Sequence, residues 1–129
     1  MIKINYFDAS TFDRNIKCTI HKSGKIGFSN AAIKRLSIDK MYGARIGTNG
    51  ENKEDENLYL ACIESEDKSA FKFIKAGDYY YINAKPLLDE IKIDYRNTKV
   101  TLIYDIIEMD IEGQKIYKLI KREVKRRKE

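Results

Sequence analysis

The chain has a single histidine, a single proline and two cysteines in 129 residues, and its uninterrupted apolar runs are only a few residues long. A membrane-spanning helix needs about 20 consecutive apolar residues, so none is expected. His21 has no second imidazole with which to complete a metal site. Cys18 and Cys62 are too few and too far apart for a disulfide framework or a metal knuckle. Each falls on the apolar side of an alternating run, Cys18 with Ile20 and Cys62 with Leu58 and Leu60, and both are expected to pack as small buried hydrophobes. No Gly-x-Ser-x-Gly turn surrounds any serine, and nothing assembles a nucleophile, a base and an oxyanion site. The acidic residues Glu54, Asp55, Glu56, Glu64, Glu66 and Asp67 lack the spaced ligands and central glycine of a calcium loop, and read as solvated loops. An enzyme is therefore not expected, and neither is a cofactor or a metal. The N-terminus has no apolar core of signal-peptide length, which makes a cytoplasmic protein the economical expectation. No Pro- or Ser-rich hinge divides the chain, so residues 1–129 are expected to form one domain.

Charge is abundant and uneven. The net charge is +5, but residues 1–50 hold nine bases against three acids, residues 51–70 two against seven, and residues 115–129 eight against two. If the fold brings the two basic blocks together, the resulting positive face favours a polyanion such as nucleic acid.

Internal repetition organises the rest. Lys22-Ser23-Gly24-Lys25 followed by Asn30-Ala31 recurs 53 positions later as Lys75-Ala76-Gly77-Asp78 followed by Asn83-Ala84. A repeated unit usually cannot bury its apolar face without its twin. Ile16, Cys18 and Ile20 alternate on one strand, Gly24 turns, and Ile26 and Phe28 alternate on the next. Ser29 or Asn30 can cap a short helix over Ala31–Leu36 that buries Ala32, Ile33 and Leu36 and leaves Lys34 and Arg35 outward. Ala44–Gly47 and Leu58–Ile63 are read as strands joined by the polar loop 48–57. The second copy repeats the order. Phe71 and Phe73 lie on a strand, Gly77 turns, and Tyr79–Ile82 form the next strand. A helix over Ala84–Ile91 tolerates Pro86 in its first turn. Val100–Ile107 and Lys115–Lys121 make a closing hairpin. The predicted fold class is α+β, mostly β, with two tandem β-β-α-β-β repeats (about 16–64 and 70–122) forming a pseudo-two-fold barrel or sandwich. A short basic tail, 121–129, follows them, and Ile2–Tyr6 is expected to add an edge strand. Tyr79, Tyr80 and Tyr81 send side chains to both faces of their strand, so at least one points away from the core. His21 alternates outward with Lys17 and Thr19 and is read as a surface residue.

Gly24-Lys25, the apolar pair Ile26 and Phe28, the short helix, Leu36-Ser37-Ile38 and Gly43 follow in an order that resembles the swapped-hairpin domain of AbrB/MazE-type DNA-binding proteins. In that family Gly-Arg, Ile-x-Ile-Pro and Leu-Gly-Ile stand at these places, and dimers interlace their hairpins into a small barrel. The resemblance covers about 45 residues per copy, and a tandem chain would be a single-chain pseudo-dimer. It implies a DNA-binding surface with Lys25 at the family's arginine and Lys34 on the helix, Arg35 one step on. The second copy departs from this pattern, with Asp78 opposite Lys25 and with Asp89 and Glu90 on its helix, where carboxylates repel phosphate. Engagement is then expected to be asymmetric.

The function expected on these grounds is a small non-enzymatic DNA-binding protein, a transcriptional regulator or a mobile-element factor. Its phosphate contacts would come from Lys22, Lys25, Lys34, Arg35, Arg45, Lys121, Arg122, Lys125, Arg126 and Arg127. The expected partner is nucleic acid, duplex DNA first, with the protein a monomer or homodimer and no membrane involved. The alternative is a protein-interaction or structural assembly module, and a further one is a single-strand binder using the tyrosine strand.

Overall fold

Alternating runs pair into one sheet. The structure, a computed structural model, describes residues 1–9, 14–97 and 99–125. Along the chain come β1 (Lys17–Ile20), β2 (Lys25–Phe28), α1 (Asn30–Leu36), a 3-10 turn (Ile38–Lys40), β3 (Gly43–Gly47) and β4 (Leu58–Ile63). They are followed by β5 (Phe71–Lys72), β6 (Ile74–Ala76), β7 (Tyr79–Asn83), α2 (Lys85–Glu90), β8 (Val100–Ile111) and β9 (Gln114–Lys125). The described chain is thus mostly β.

The spatial order is β5-β3-β4-β9-β8-β1-β2-β7-β6, and every pairing is antiparallel. The two outermost strands are successive pieces of one segment, 71–76, interrupted at Phe73. β5 hydrogen-bonds to β3 and β6 to β7, so the sheet nearly closes on itself as a barrel. Phe73 is buried at the break, where its N–H donates to the Tyr42 carbonyl at 3.0 Å and its ring meets Phe28 edge-on, centroids 5.5 Å apart.

Period-two alternation fills the interior. Cys18 and Ile20, Ile26 and Phe28, Leu58 and Leu60, Leu102, Tyr104 and Ile106, and Tyr117 and Leu119 face inward and are buried. Ala32 and Leu36 from α1 and Leu88 from α2 join the same cluster. The strand registers set the helices at opposite ends. α1 follows Phe28, which pairs with Cys18 at the end away from the β1–β2 turn, while α2 follows Asn83, which pairs with Lys25 beside that turn.

Several local expectations hold closely. Ser29 is the N-cap of α1: its Oγ accepts the Ala32 N–H at 3.2 Å and donates to the Asn15 carbonyl at 2.7 Å. Pro86 lies in the first turn of α2. Others need correction. Ile33 is only partly buried. Cys62 is half-buried, in contrast to Cys18. Ile2–Tyr6 forms no strand, and Ile2, Ile4, Tyr6 and Phe7 are exposed. A sheet whose two ends meet each other offers no long free edge for such a strand. Residues 121–125, read as the start of a tail, continue β9, because Lys121–Lys125 pair one to one with Tyr104–Val100 of β8. No helix among the described residues is long and apolar enough to cross a membrane.

Candidate nucleic-acid interface

The two basic blocks of the sequence converge only in part. Antiparallel pairing sets Ile20 opposite Leu102 and Leu102 opposite Glu123, so the β1–β2 turn lies at the same barrel end as the last residues of β9. The β1–β8 register ends at Ile20–Leu102, two residues before the β8–β9 register ends at Val100–Lys125. Lys22, Lys25, Lys121 and Lys125 thus share one end and are exposed there. Lys34 and Arg35, exposed in the last turn of α1, belong to the opposite end. Arg45 points outward from β3, and its charge helps hold the Asp67 carboxyl below its ordinary range, after the stronger effect of hydrogen bonds from Ser69. Arg126 and Arg127 lie outside the described residues.

Two of the expected cations are engaged within the protein. Arg122 grips Asp105 across β8 and β9 with two bonds, Nη2 to Oδ1 at 3.1 Å and Nε to Oδ2 at 3.3 Å, and the pair is largely shielded from water. Such forked pairs are among the stronger charge-assisted contacts, so a phosphate would have to compete with Asp105. Lys121 Nζ lies 3.6 Å from Glu123 Oε1, and both residues line a cleft of about 450 Å³ between loop 48–57 and the segment after α2. Lys121 therefore faces a mixed surface that also contains Glu56 and Asp94.

The turn Lys22–Gly24 is held firmly. Gly24 has φ +88, its N–H donates to the His21 carbonyl at 2.9 Å, and its own carbonyl accepts the Ala84 N–H at 3.0 Å. A Cβ at Gly24 would lie 2.5 Å from Lys85 Cβ and 2.9 Å from Lys85 Cα. This close approach brings Lys85, a cation missed in the sequence, against the turn that carries Lys22. No local signal pointed to it, since the contact joins residues 61 positions apart.

Beside this turn lies an outward cluster of rings. Tyr79 and Tyr81 stack at 6.4 Å between centroids with 25° between planes, and Lys25 Nζ lies 4.6 Å from the Tyr81 centroid. Tyr79 Oη reaches across β2 to His21 Nε2 at 2.8 Å. Gly27 makes the crossing possible, because a Cβ there would fall 1.2 Å from that hydroxyl. Partial burial lowers the His21 pKa below its ordinary value of 6.5, and the charge of Lys25 adds to the effect. In its neutral form the imidazole can accept a hydrogen bond from the Tyr79 hydroxyl through Nε2. The alternation of the strand identified an outward tyrosine, but the partnership with His21 spans 58 positions and left no trace in the local pattern.

Of the two acids on the second helix, Asp89 is engaged within the protein. Asp89 accepts from Tyr95 Oη at 2.8 Å and lies 3.6 Å from Arg96 Nη1. The thiols offer no nucleophile at neutral pH: burial pushes Cys18 up to about 12 and Cys62 to about 11. Among the described residues no group of three or more His, Cys, Asp or Glu side chains is arranged to hold a metal ion. No protein-family model, no curated protein and no solved structure matches the chain.

Proposed function

We propose that the chain is a small non-enzymatic DNA-binding protein, a single-chain counterpart of the AbrB/MazE-type interlaced dimer, which engages duplex DNA asymmetrically through the barrel end carrying Lys22, Lys25 and Lys85. A transcriptional regulator or mobile-element factor acting in the cytoplasm fits this reading. The observation that carries it is the pairing scheme. Taking 71–76 as one strand, each half runs strand, strand, helix, strand, strand, and exchanging the halves leaves the set of pairings unchanged. The first strand of each half pairs with the third strand of the other, β1 with β8 and β5 with β3. The second strands pair with each other, as do the fourth, β2 with β7 and β4 with β9. Interlacing of this kind is what the family resemblance implies for two chains.

A second support comes from backbone conformation. Ser37, at the glycine of the family's Leu-Gly-Ile, has φ +52, and Lys92 in Ile91-Lys92-Ile93 has φ +60. Glycine is the residue that takes that region without strain. Both halves thus keep the apolar, left-handed, apolar step after the helix, the second copy now offset by 55 residues because its helix segment is longer.

The test is an electrophoretic shift with duplex DNA over a salt series. Lys22→Glu and Lys25→Glu should abolish the shift at moderate salt, and Lys22→Ala and Lys25→Ala should each lower the log–log salt slope by about one. Lys34→Glu, at the other end, should change affinity little. Failure of the wild type to shift duplex DNA at low salt would reject the proposal. The alternative, an assembly module, draws on Ile111 and Val124, exposed at 43% and 38% on the long hairpin, and predicts self-association or partner capture without any nucleic-acid affinity.

A further inference from the structure

We propose that the outward face of β2 and β7 is a base-stacking site for single-stranded nucleic acid, built from Tyr79, Tyr81 and Lys25. The site shares Lys25 and Lys22 with the duplex reading, but the rings of Tyr79 and Tyr81 belong to it alone, so the two can fail separately.

The placement of the rings argues for a ligand surface. Of the three successive tyrosines, only Tyr80 lies on the inward side, opposite Phe28. Tyr79 and Tyr81 spend their apolar area on the outside of the barrel, where the core gains nothing from them. They are nonetheless held in order. Tyr79 is tethered at its hydroxyl by His21, over a floor kept clear by Gly27, and Tyr81 stacks with Tyr79 and has the Lys25 ammonium over its ring. Ordered aromatic faces lower the cost of binding another flat group.

The chemistry of the neighbours selects the ligand. Lys25 rests on the Tyr81 ring as an exposed cation–π contact, which is weak enough to exchange. A phosphate drawing Lys25 outward would uncover that ring for a base. One lysine would then serve the backbone while the tyrosine serves the base, the usual division in single-strand recognition. Lys22 extends the positive side in the adjoining turn, whereas Asp78 precedes Tyr79 at the other margin. The strand's phosphates should therefore pass on the Lys22 side. Duplex DNA keeps its base faces covered, so this surface discriminates in favour of unpaired bases.

Direct titration tests the idea. The chain has nine tyrosines and no tryptophan, so its intrinsic emission reports on tyrosine alone. A short thymidine oligomer should quench that emission and bind at least about tenfold more tightly than an abasic oligomer of equal length and charge. Tyr79→Ala and Tyr81→Ala should each weaken thymidine-oligomer binding at least about fivefold, leaving the abasic oligomer nearly unaffected, while Tyr81→Phe retains binding. Asp78→Lys should strengthen both oligomers. If the alanine variants fail to fold, Gly27→Ala, which dislodges the Tyr79 hydroxyl without touching a core side chain, should still reduce the preference for thymidine over abasic sites. Equal binding of the two oligomers by the wild type, or an unchanged preference in Gly27→Ala and Tyr81→Ala, overturns the proposal. A preference for thymidine in a protein that does not shift duplex DNA would leave this site standing and remove the duplex reading.

Discussion

Gly24 and Gly77 occupy the same turn position in the two halves but answer to different demands. Both have positive φ, +88 and +63, which costs a residue with a Cβ about 1–2 kcal/mol. Gly77 has nothing within 4 Å of a built Cβ, whereas at Gly24 the backbone and Cβ of Lys85 stand in the way. Gly77→Ala should therefore cost only the conformational part, and Gly24→Ala clearly more, as read by chemical denaturation. Ser37 presents the opposite case. It bears φ +52 with no side-chain capping bond in return, so Ser37→Gly should raise stability by about 0.5–1 kcal/mol. His21 adds a pH dependence with a definite sign. Because its folded pKa lies below 6.5, the unfolded chain binds the proton more readily, and stability should fall as the pH drops below 6.5. Gly27→Ala, by displacing Tyr79, should bring the imidazole back toward its ordinary value in an NMR titration.

The loop 48–57 illustrates how a polar segment holds its shape. Asp55 accepts from Tyr59 Oη, from the Asn57 N–H at 2.9 Å and from Asn49 Nδ2 at 3.1 Å. These bonds, the Tyr59 one foremost, lower the Asp55 pKa from 3.8 to about 2, and the same contact raises that of Tyr59. The ordering they provide is complete above pH 3.8 and should be lost as the pH falls through about 2. Asp55→Asn should return the Tyr59 phenol toward 10 in an ultraviolet titration. From sequence this stretch showed only an absence of periodicity, since Asx-type bonding leaves no repeating pattern. The strands were readable for the converse reason: alternation around Cys18, Ile26 and Leu60 follows from burial of one face. Their ends were less so. β9 runs on to Lys125 because β8 stands opposite it, and nothing in Lys-Arg-Glu-Val-Lys announces a strand. On that long hairpin the Asp105–Arg122 fork is shielded, and Asp105→Asn should cost about 1–3 kcal/mol by leaving a guanidinium without its carboxylate.

At the scale of the molecule, the sequence repeat was visible in Gly24 and Gly77 and in the two Asn-Ala pairs, while the exchange of partners between halves was not. Pairing of β1 with β8 joins residues more than 80 positions apart, a fact that only three dimensions disclose. Its consequence is that each half keeps only two separate hairpins of its own, β1–β2 and β3–β4 in the first and β6–β7 and β8–β9 in the second, and needs the other half to join them. Chains cut within 64–69 should be unstructured when produced separately and should regain native circular dichroism when mixed. The candidate site was legible only as cation types: Lys22 and Lys25 lie at one end, Lys34 and Arg35 at the other, and Arg122 is bound to Asp105. The split at Phe73 carries a last implication. Where 71–76 changes partner from β3 to β7, only a few hydrogen bonds join the two margins of the sheet, two register pairs on one side and three on the other. That seam is where the wall should unzip first, so amide protons of Lys72 and Ile74–Ala76 should exchange with deuterium well before those of β1 and β8, with Phe73 acting as the rivet that brings the margins back together.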